Sequence, residues 1–325
     1  MSFWKDKKVL VTGGAGFIGS FLCEELVREG AKVTIADRSE SGHGRIAAIR
    51  DKVTLKAADL FDPEQCRALC TGQDFVMNLA AKVAGIEYNR FHHAEMFEEN
   101  MRLQVNMLSA AADAKIKRLL FVSTASVYPV DVKVPIKESE AERVNPEPEN
   151  EGYALAKLMG EKLARYYTGE KKLECVIPRL FNVYGPRDHY DEKTSHVIPA
   201  LIKRVLDGDD PVLIYGSGKP TRSFIHVRDV ARGFMALMEK APAGIPINLG
   251  SEREVSIKEL FEIICRAAGK NPKPNFDTSR PDGHARRAPD LALLKQHTGF
   301  NPAVTLEEGI KEILQEMMKS GKVRA

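Results

Sequence analysis

Val9-Leu10-Val11-Thr12-Gly13-Gly14-Ala15-Gly16-Phe17-Ile18-Gly19 decides how the chain is read. An apolar, β-branched run enters a cluster of glycines, and a stretch with Phe17, Ile18, Phe21, Leu22 and Leu26 at helical spacing leaves it. This is a strand, a tight turn and a helix start. Gly14, Gly16 and Gly19 fit GxGxxG, and Gly13, Gly16 and Gly19 fit the related GxxGxxG. Glycine permits the turn and lets backbone approach a pyrophosphate with no Cβ in between. A helix beginning at Phe17 aims its free N–H groups and positive dipole end, from Phe17 and Ile18, at that anion. The plain alternative is a tight turn that binds nothing.

Working outward, Asp37 ends the next strand candidate, where a carboxylate can accept from an adenosine ribose hydroxyl. Its charge repels a 2′-phosphate, so NAD is expected rather than NADP. Arg38 beside it is placed to stack on adenine or meet a phosphate. Asp59 and Leu60 follow the third strand, where they meet the adenine edge, or Asp59 caps the helix beginning near Pro63. Leu79, Ala80 and Ala81 close the fourth strand with small residues suited to close approach of the cofactor.

Strands are expected at Lys8–Val11, Lys32–Ala36, Val53–Ala57, Phe75–Leu79, Leu119–Ser123 and Glu174–Leu180, with helices at 17–29, 63–71, 95–114 and 153–168. That alternation is the rhythm of an α/β, doubly wound parallel sheet. After about residue 180 the rhythm changes. Residues 182–195 read as an ordered functional loop; a helix (Val197–Leu206), a strand (Pro211–Tyr215) and the segment Arg222–Asp229 follow. The tail 256–320 is mostly helical, broken at 271–290. The expected organisation is a dinucleotide-binding domain over 1–180, rejoined by about 222–250, and a smaller domain over 181–325.

Composition bounds the rest. The chain has 325 residues, 48 Lys plus Arg against 45 Asp plus Glu, and a formal charge of +3, which makes no case for nucleic acid or an anionic membrane. No apolar run approaches the ~20 residues of a membrane span. Five cysteines without a CxxC exclude a disulfide framework and a zinc ribbon, and Cys66 and Cys70 lack partners for a metal site. Reduced thiols and a charged start leading straight into a strand fit a soluble cytoplasmic protein.

Tyr153 and Lys157 are separated by four positions, which places both on one helix face. A tyrosine with an ordinary pKa of about 10 is a poor base at neutral pH. A neighbouring ammonium and a positively charged nicotinamide ring both favour the phenolate. Thr124, at the end of the fifth strand, adds a hydroxyl that can hold the same substrate oxygen. Without the glycine turn upstream, the pair is an exposed helix pair.

With these residues in place, the chain resembles an extended short-chain dehydrogenase/reductase of the NAD-dependent epimerase/dehydratase type over essentially its whole length. Thr12–Gly19, Asp59-Leu60, Leu79–Ala81, Ser123–Tyr128, Tyr153/Lys157, Pro178–Arg187, Arg222–Gly233, Asn248–Ser251, Arg280–Asp290 and Leu306–Gly309 carry the likeness. The resemblance implies a Rossmann-type sheet with a smaller C-terminal substrate-binding domain, NAD as cofactor, a nucleoside-diphosphate sugar as substrate, and a homodimer built on the helices 95–114 and 153–168. It also implies Asn182, Arg187, Arg222, Arg286 and Arg287 as substrate ligands. Guanidinium forks suit a diphosphate; ion pairs, such as Arg222 with Asp229, are the alternative.

The reaction is read from the residues after Thr124. The family's dehydratases carry Asp-Glu there and its sugar-acid decarboxylases keep the Glu, whereas this chain reads Ala125-Ser126. An alanine does no acid–base work, so 4-epimerisation through a transient 4-keto sugar is expected, with Thr124, Ser126, Tyr153 and Lys157 as its machinery. A second likeness cuts across this. Residues 80–86 and 195–201 resemble GDP-fucose synthase and GDP-mannose 3,5-epimerase. His196 matches the synthase histidine, but the cysteine position is Ser126. Lys82 then contacts sugar hydroxyls or is simply solvated. A GDP-sugar 3,5-epimerase or a 4-keto reductase is therefore the rival enzyme. A non-catalytic NAD(P)-sensing regulator is the rival of another class, disfavoured by the intact Tyr153/Lys157 pair. His92-His93 reads as a surface pair and His226 as a hydrogen-bonded core histidine.

Overall fold

A computed structural model describes residues 2–38, 40–189, 196–280 and 282–319. The apolar runs of the first half become β1 (Lys8–Thr12), β2 (Lys32–Asp37), β3 (Thr54–Ala57), β4 (Phe75–Asn78), β5 (Arg118–Phe121), β6 (Ser123–Thr124) and β7 (Glu174–Leu180). The second half adds β8 (Val183–Tyr184), β9 (Val212–Tyr215), β10 (Thr221–Ser223), β11 (Ile225–His226), β12 (Pro246–Leu249), β13 (Glu254–Ser256), β14 (Pro274–Asp277) and β15 (Arg286–Arg287). The large sheet runs β12-β7-β5-β4-β1-β2-β3 with every pairing parallel, and β6 extends along β7.

The first helices are α1 (Phe17–Arg28), α2 (Pro63–Cys70), α3 (Ile86–Asn89), α4 (His93–Asp113) and α5 (Glu151–Glu170). They are followed by α6 (Val197–Asp207), α7 (Val227–Lys240), α8 (Ile257–Ala268), α9 (Ala292–Thr298) and α10 (Leu306–Lys319). Apolar side chains of α1, α7 and α9 fill one face of the large sheet, and those of α2, α4 and α5 fill the other. That explains why its strands are apolar on both sides. A separate core gathers Ile198 and Ile202 of α6, Leu260 and Ile264 of α8, and Ile310 and Ile313 of α10. Among the described residues no helix is long and apolar enough to cross a membrane.

Sheet order reverses between β1 and β4, and the crevice beyond the carboxyl ends of these strands is the place where such sheets bind ligands. The strand ends are tied there: Thr12 Oγ1 donates to Asn78 Oδ1 at 2.7 Å and accepts from the Ala80 N–H at 3.2 Å.

Beneath the carboxyl ends of β6 and β7 lies a buried polar network. Arg179 and Glu161 form a two-bond pair, Nη2–Oε2 2.6 Å and Nε–Oε1 2.9 Å, with side chains 5% and 2% exposed. Ser123 Oγ donates to the same carboxylate. Arg179 Nη1 reaches Tyr128 OH at 3.1 Å and the Glu138 carbonyl at 2.7 Å, and Tyr128 OH donates to Asn248. Burial raises the Glu138 carboxyl above the usual range.

Two elements differ from the sequence reading. Residues 40–52 wind as 3-10 turns between β2 and β3, and Pro246–Leu249 is a full edge strand on β7. Neither has the length or periodicity that marks an element in sequence. The five cysteines are free and buried.

Candidate active site

The glycine turn is built as its sequence requires. Gly13 has φ +65, a conformation other residues rarely adopt, and the Gly16 N–H donates to the Gly13 carbonyl at 3.0 Å. A Cβ on Gly13 would come within 3.2 Å of the Ala80 nitrogen, so β1 and the loop after β4 meet through backbone. No side chain caps the start of α1, which leaves its first N–H groups, at Phe17 and Ile18, for an anion. A Cβ on Gly19 would collide with the Gly13 carbonyl oxygen and lie 2.8 Å from the Gly14 Cα. Gly19→Ala is therefore expected to push α1 off the turn, lower stability by about 1–3 kcal/mol and abolish retention of bound NAD. Absorbance of acid-released nucleotide per mole of folded protein checks it.

Asp37 closes β2 beside this turn and Arg38 follows it, exposed; neither lines the cleft described next. Asp59 does not cap α2; Asp62 does, its Oδ1 accepting the Glu64 N–H at 2.8 Å. Asp59 instead accepts from the Phe61 N–H at 3.0 Å, an Asx turn one step earlier. Leu60 is buried and its carbonyl accepts from Asn106 at 2.9 Å.

A cleft of about 900 Å³ runs from the glycine turn to α5 and α6. It is lined by Gly13, Gly16, Phe17, Ile18 and Gly19 at one end, Leu79 and Ala81 beside them, and Thr124, Ser126, Tyr153, Lys157, Asn182, His196 and Arg287 toward the other. Residues distant in sequence are thus brought to one wall. The Lys157 ammonium sits 5.9 Å from the Tyr153 ring centre and donates to the Val122 carbonyl at 3.0 Å. The electrostatics of the chain alone run against expectation. Burial pushes the Tyr153 phenol up to about 12 and Lys157 down to about 8. The ammonium is itself weakened by desolvation and turned toward a carbonyl, so the phenolate is not formed by the protein's own charges.

Ser126 Oγ lies 3.0 Å from Asn150 Nδ2 and 3.3 Å from Thr124 Oγ1. Asn150 carries no motif that marks it in the sequence. His196 stands at the N-cap of α6 with Nδ1 3.3 Å from Asp188 Oδ2. That hydrogen bond raises its pKa, although the ring is 67% exposed. Residues 190–195 of the loop read at 182–195 lie outside the described residues.

The remaining expected ligands are not all brought together. Arg286 and Arg287 are neighbours on a strand and so face opposite ways. Arg287 lines the cleft and donates to the Ala125 carbonyl, with burial lowering its pKa. Arg286 forks onto Glu254 at 2.6 and 3.1 Å on the surface. Arg222 donates to the Thr221 and His284 carbonyls at 2.8 and 2.6 Å; it has no pair with Asp229, which bonds Arg232 and the Ala303 and Val304 N–H groups. Arg187 points away from the cleft onto α1, pairing with Glu24 at 2.7 Å and covering the Phe21 ring. Lys82 is not simply solvated, since its ammonium pairs with Glu95 and with Glu99 at 3.0 Å. Asn182 Nδ2 bonds the Ser223 carbonyl at 2.9 Å at the cleft edge. His93 is half-buried, and its Nδ1 accepts from the Gly152 N–H at 3.3 Å. His226 is buried, with Nδ1 accepting from the Arg228 N–H at 3.3 Å and burial taking its pKa down to about 4.

The chain is similar to proteins with the same layout. GDP-L-fucose synthase 1 of Arabidopsis thaliana is 30% identical over 97% of this chain and 94% of its own. A UDP-N-acetyl-alpha-D-glucosaminuronate decarboxylase of Bacillus cytotoxicus is 35% identical over 95% and 97%. Among solved structures, a UDP-N-acetylglucosamine 4-epimerase from Methanobrevibacter ruminantium superposes with a TM-score of 0.88 at 29% identity, over 97% of this chain and 99% of that one. The profile of the NAD dependent epimerase/dehydratase family matches residues 9–250. Glycine turn, uncapped α1, the Tyr153/Lys157 wall and these matches agree: the chain belongs to the NAD dependent epimerase/dehydratase family, an α/β fold on a Rossmann-type parallel sheet with NAD as its cofactor.

Proposed function

We propose that this protein is a nucleotide-sugar epimerase that acts on a GDP- or UDP-linked hexose through a transient 4-keto sugar. One observation carries the reading. Tyr153, Lys157, Thr124 and Ser126 share a wall of the cleft, and among the described residues lining it only Asp188 carries a carboxylate. That carboxylate already bonds the His189 N–H at 2.8 Å and His196. Elimination of water needs an acid and a base beside the sugar, and the wall near Thr124 offers hydroxyls and an alanine instead.

Bound along the cleft from the glycine turn to Tyr153, NAD would supply reversible hydride transfer, and its positive ring would favour the phenolate at Tyr153. The phenolate takes the C4 hydroxyl proton as C4–H leaves as hydride, which leaves a ketone. Once the sugar had turned in the cleft, Tyr153 would give the proton back to the C4 oxygen. Lys157 fixes the floor beneath the phenol through Val122. Arg287 faces the cleft as the cation for the diphosphate.

His196 supports a second reading. An imidazole held by Asp188 on the cleft wall can move a proton at C3 or C5 beside a ketone, as a GDP-sugar 3,5-epimerase or 4-keto reductase requires. Incubation with UDP-glucose, UDP-galactose, GDP-mannose and GDP-4-keto-6-deoxymannose in heavy water separates the two. The expected result is a C4 epimer with no solvent deuterium on carbon, from protein that carries tightly bound NAD. Deuterium at C3 or C5, or stoichiometric NADP, transfers the assignment to the second reading.

A further inference from the structure

Asn150 stands at the N-cap of α5, where asparagine ordinarily accepts from the first turn of its own helix. Here its side chain caps nothing. Its Oδ1 accepts from Asn89 Nδ2 at 2.7 Å, and its Nδ2 donates to Ser126 Oγ at 3.0 Å. The direction of this chain is set at its far end. Asn89 Nδ2 also reaches the Ala84 carbonyl at 3.4 Å, and a carbonyl only accepts. Asn89 Oδ1 is buried with no partner among the described residues, so nothing turns the amide the other way. With Oδ1 of Asn150 already accepting, only its N–H side is left for Ser126.

Two hydroxyls close the chain. The oxygens of Thr124 and Ser126 are 3.3 Å apart, and Thr124 Oγ1 also accepts the Ser126 N–H at 3.2 Å. Of the pair's two protons, one lies between the oxygens and neither goes to Asn150. The other is left for the cleft that both residues line.

We propose that Asn150, oriented by Asn89, is a positioning residue that holds the Thr124/Ser126 pair as a hydrogen-bond donor toward the sugar oxygen that becomes a ketone. This rests on the 4-keto chemistry above. A ketone oxygen accepts and never donates, so a pair whose spare proton always faces the cleft stabilises the charge that builds there.

Asn150→Asp tests direction apart from structure. A carboxylate at the start of α5 meets the positive end of the helix dipole, so the melting temperature should hold or rise. The carboxylate has no proton to give and takes the one from Ser126, so kcat with UDP-glucose, UDP-galactose or GDP-mannose should fall about 30-fold or more, with KM little changed. In a Ser126→Ala background the same change should cost nothing further. Full activity of Asn150→Asp overturns the proposal, as does a loss that persists without the Ser126 hydroxyl. Neutron diffraction from deuterium-exchanged crystals needs no turnover. Deuterons on Asn150 Nδ2 directed at Ser126 support the relay, and one on Ser126 directed at Asn150 Oδ1 refutes it. If that map holds while Tyr153→Phe keeps turnover, the 4-keto reading fails and the relay does not.

Discussion

Tyr153→Phe is expected to lower kcat about a thousandfold or more, the loss that follows removal of a positioned acid–base group. Bound NAD and sugar-nucleotide affinity should persist. The Tyr153 hydroxyl makes no hydrogen bond among the described residues, so its removal orphans no buried partner. The ring stays against the Lys157 ammonium. The pH dependence follows from the direction of the shifts. Burial holds the phenol protonated, up to about 12 in the protein alone, and the positive cofactor ring pulls that value down. The phenolate fraction, and with it kcat/KM, therefore rises with pH until the phenol has titrated or Lys157, lowered to about 8, loses its charge. A wild-type profile that is flat from pH 6 to 9, or a Tyr153→Phe variant within tenfold of wild type, removes Tyr153 from the base role. Isothermal calorimetry with the same sugar nucleotides checks that binding survives.

How far this was legible in sequence depends on the range of the interaction. The glycine turn and the Tyr153/Lys157 spacing are local patterns, written within a few residues of each other. The sheet and the cleft wall follow from them. Arg286 and Arg287 are adjacent letters, and only strand parity, invisible until β15 is seen to be a strand, sends one to Glu254 and the other into the cleft. Arg187 sits in a motif yet turns onto α1 because Glu24, far away in sequence, is there to pair with it. Lys82 is consumed by Glu95 and Glu99 on one face of α4. Asn89 and Asn150 are the opposite case. Amides with no motif become part of the site because α3 and the start of α5 meet over Ser126. β12 is four residues long, and its place beside β7 is a long-range pairing that no local period encodes.

The same distinction governs Arg179 and Glu161, a pair of opposite charges that the fold buries. Arg179→Met should lower unfolding free energy by about 3–5 kcal/mol, because it leaves the Glu161 carboxylate in the core with Ser123 as its remaining bonded neighbour. For a chain of 325 residues that is a fall in melting temperature on the order of 6 °C. Glu161→Met alone should cost a comparable amount by stranding the guanidinium. The double replacement should recover most of it, since apolar pairs of similar volume commonly match or exceed a buried ion pair. Activity should not recover with it. Glu161 lies one helical turn beyond Lys157 on α5, and its carboxylate ties that helix to Ser123 on β6, next to Thr124. Apolar contact restores packing without restoring that register, so the double variant should melt near wild type and still turn over several-fold more slowly. Urea unfolding alongside kcat measures both. A double variant that regains full activity would show that the pair serves stability alone.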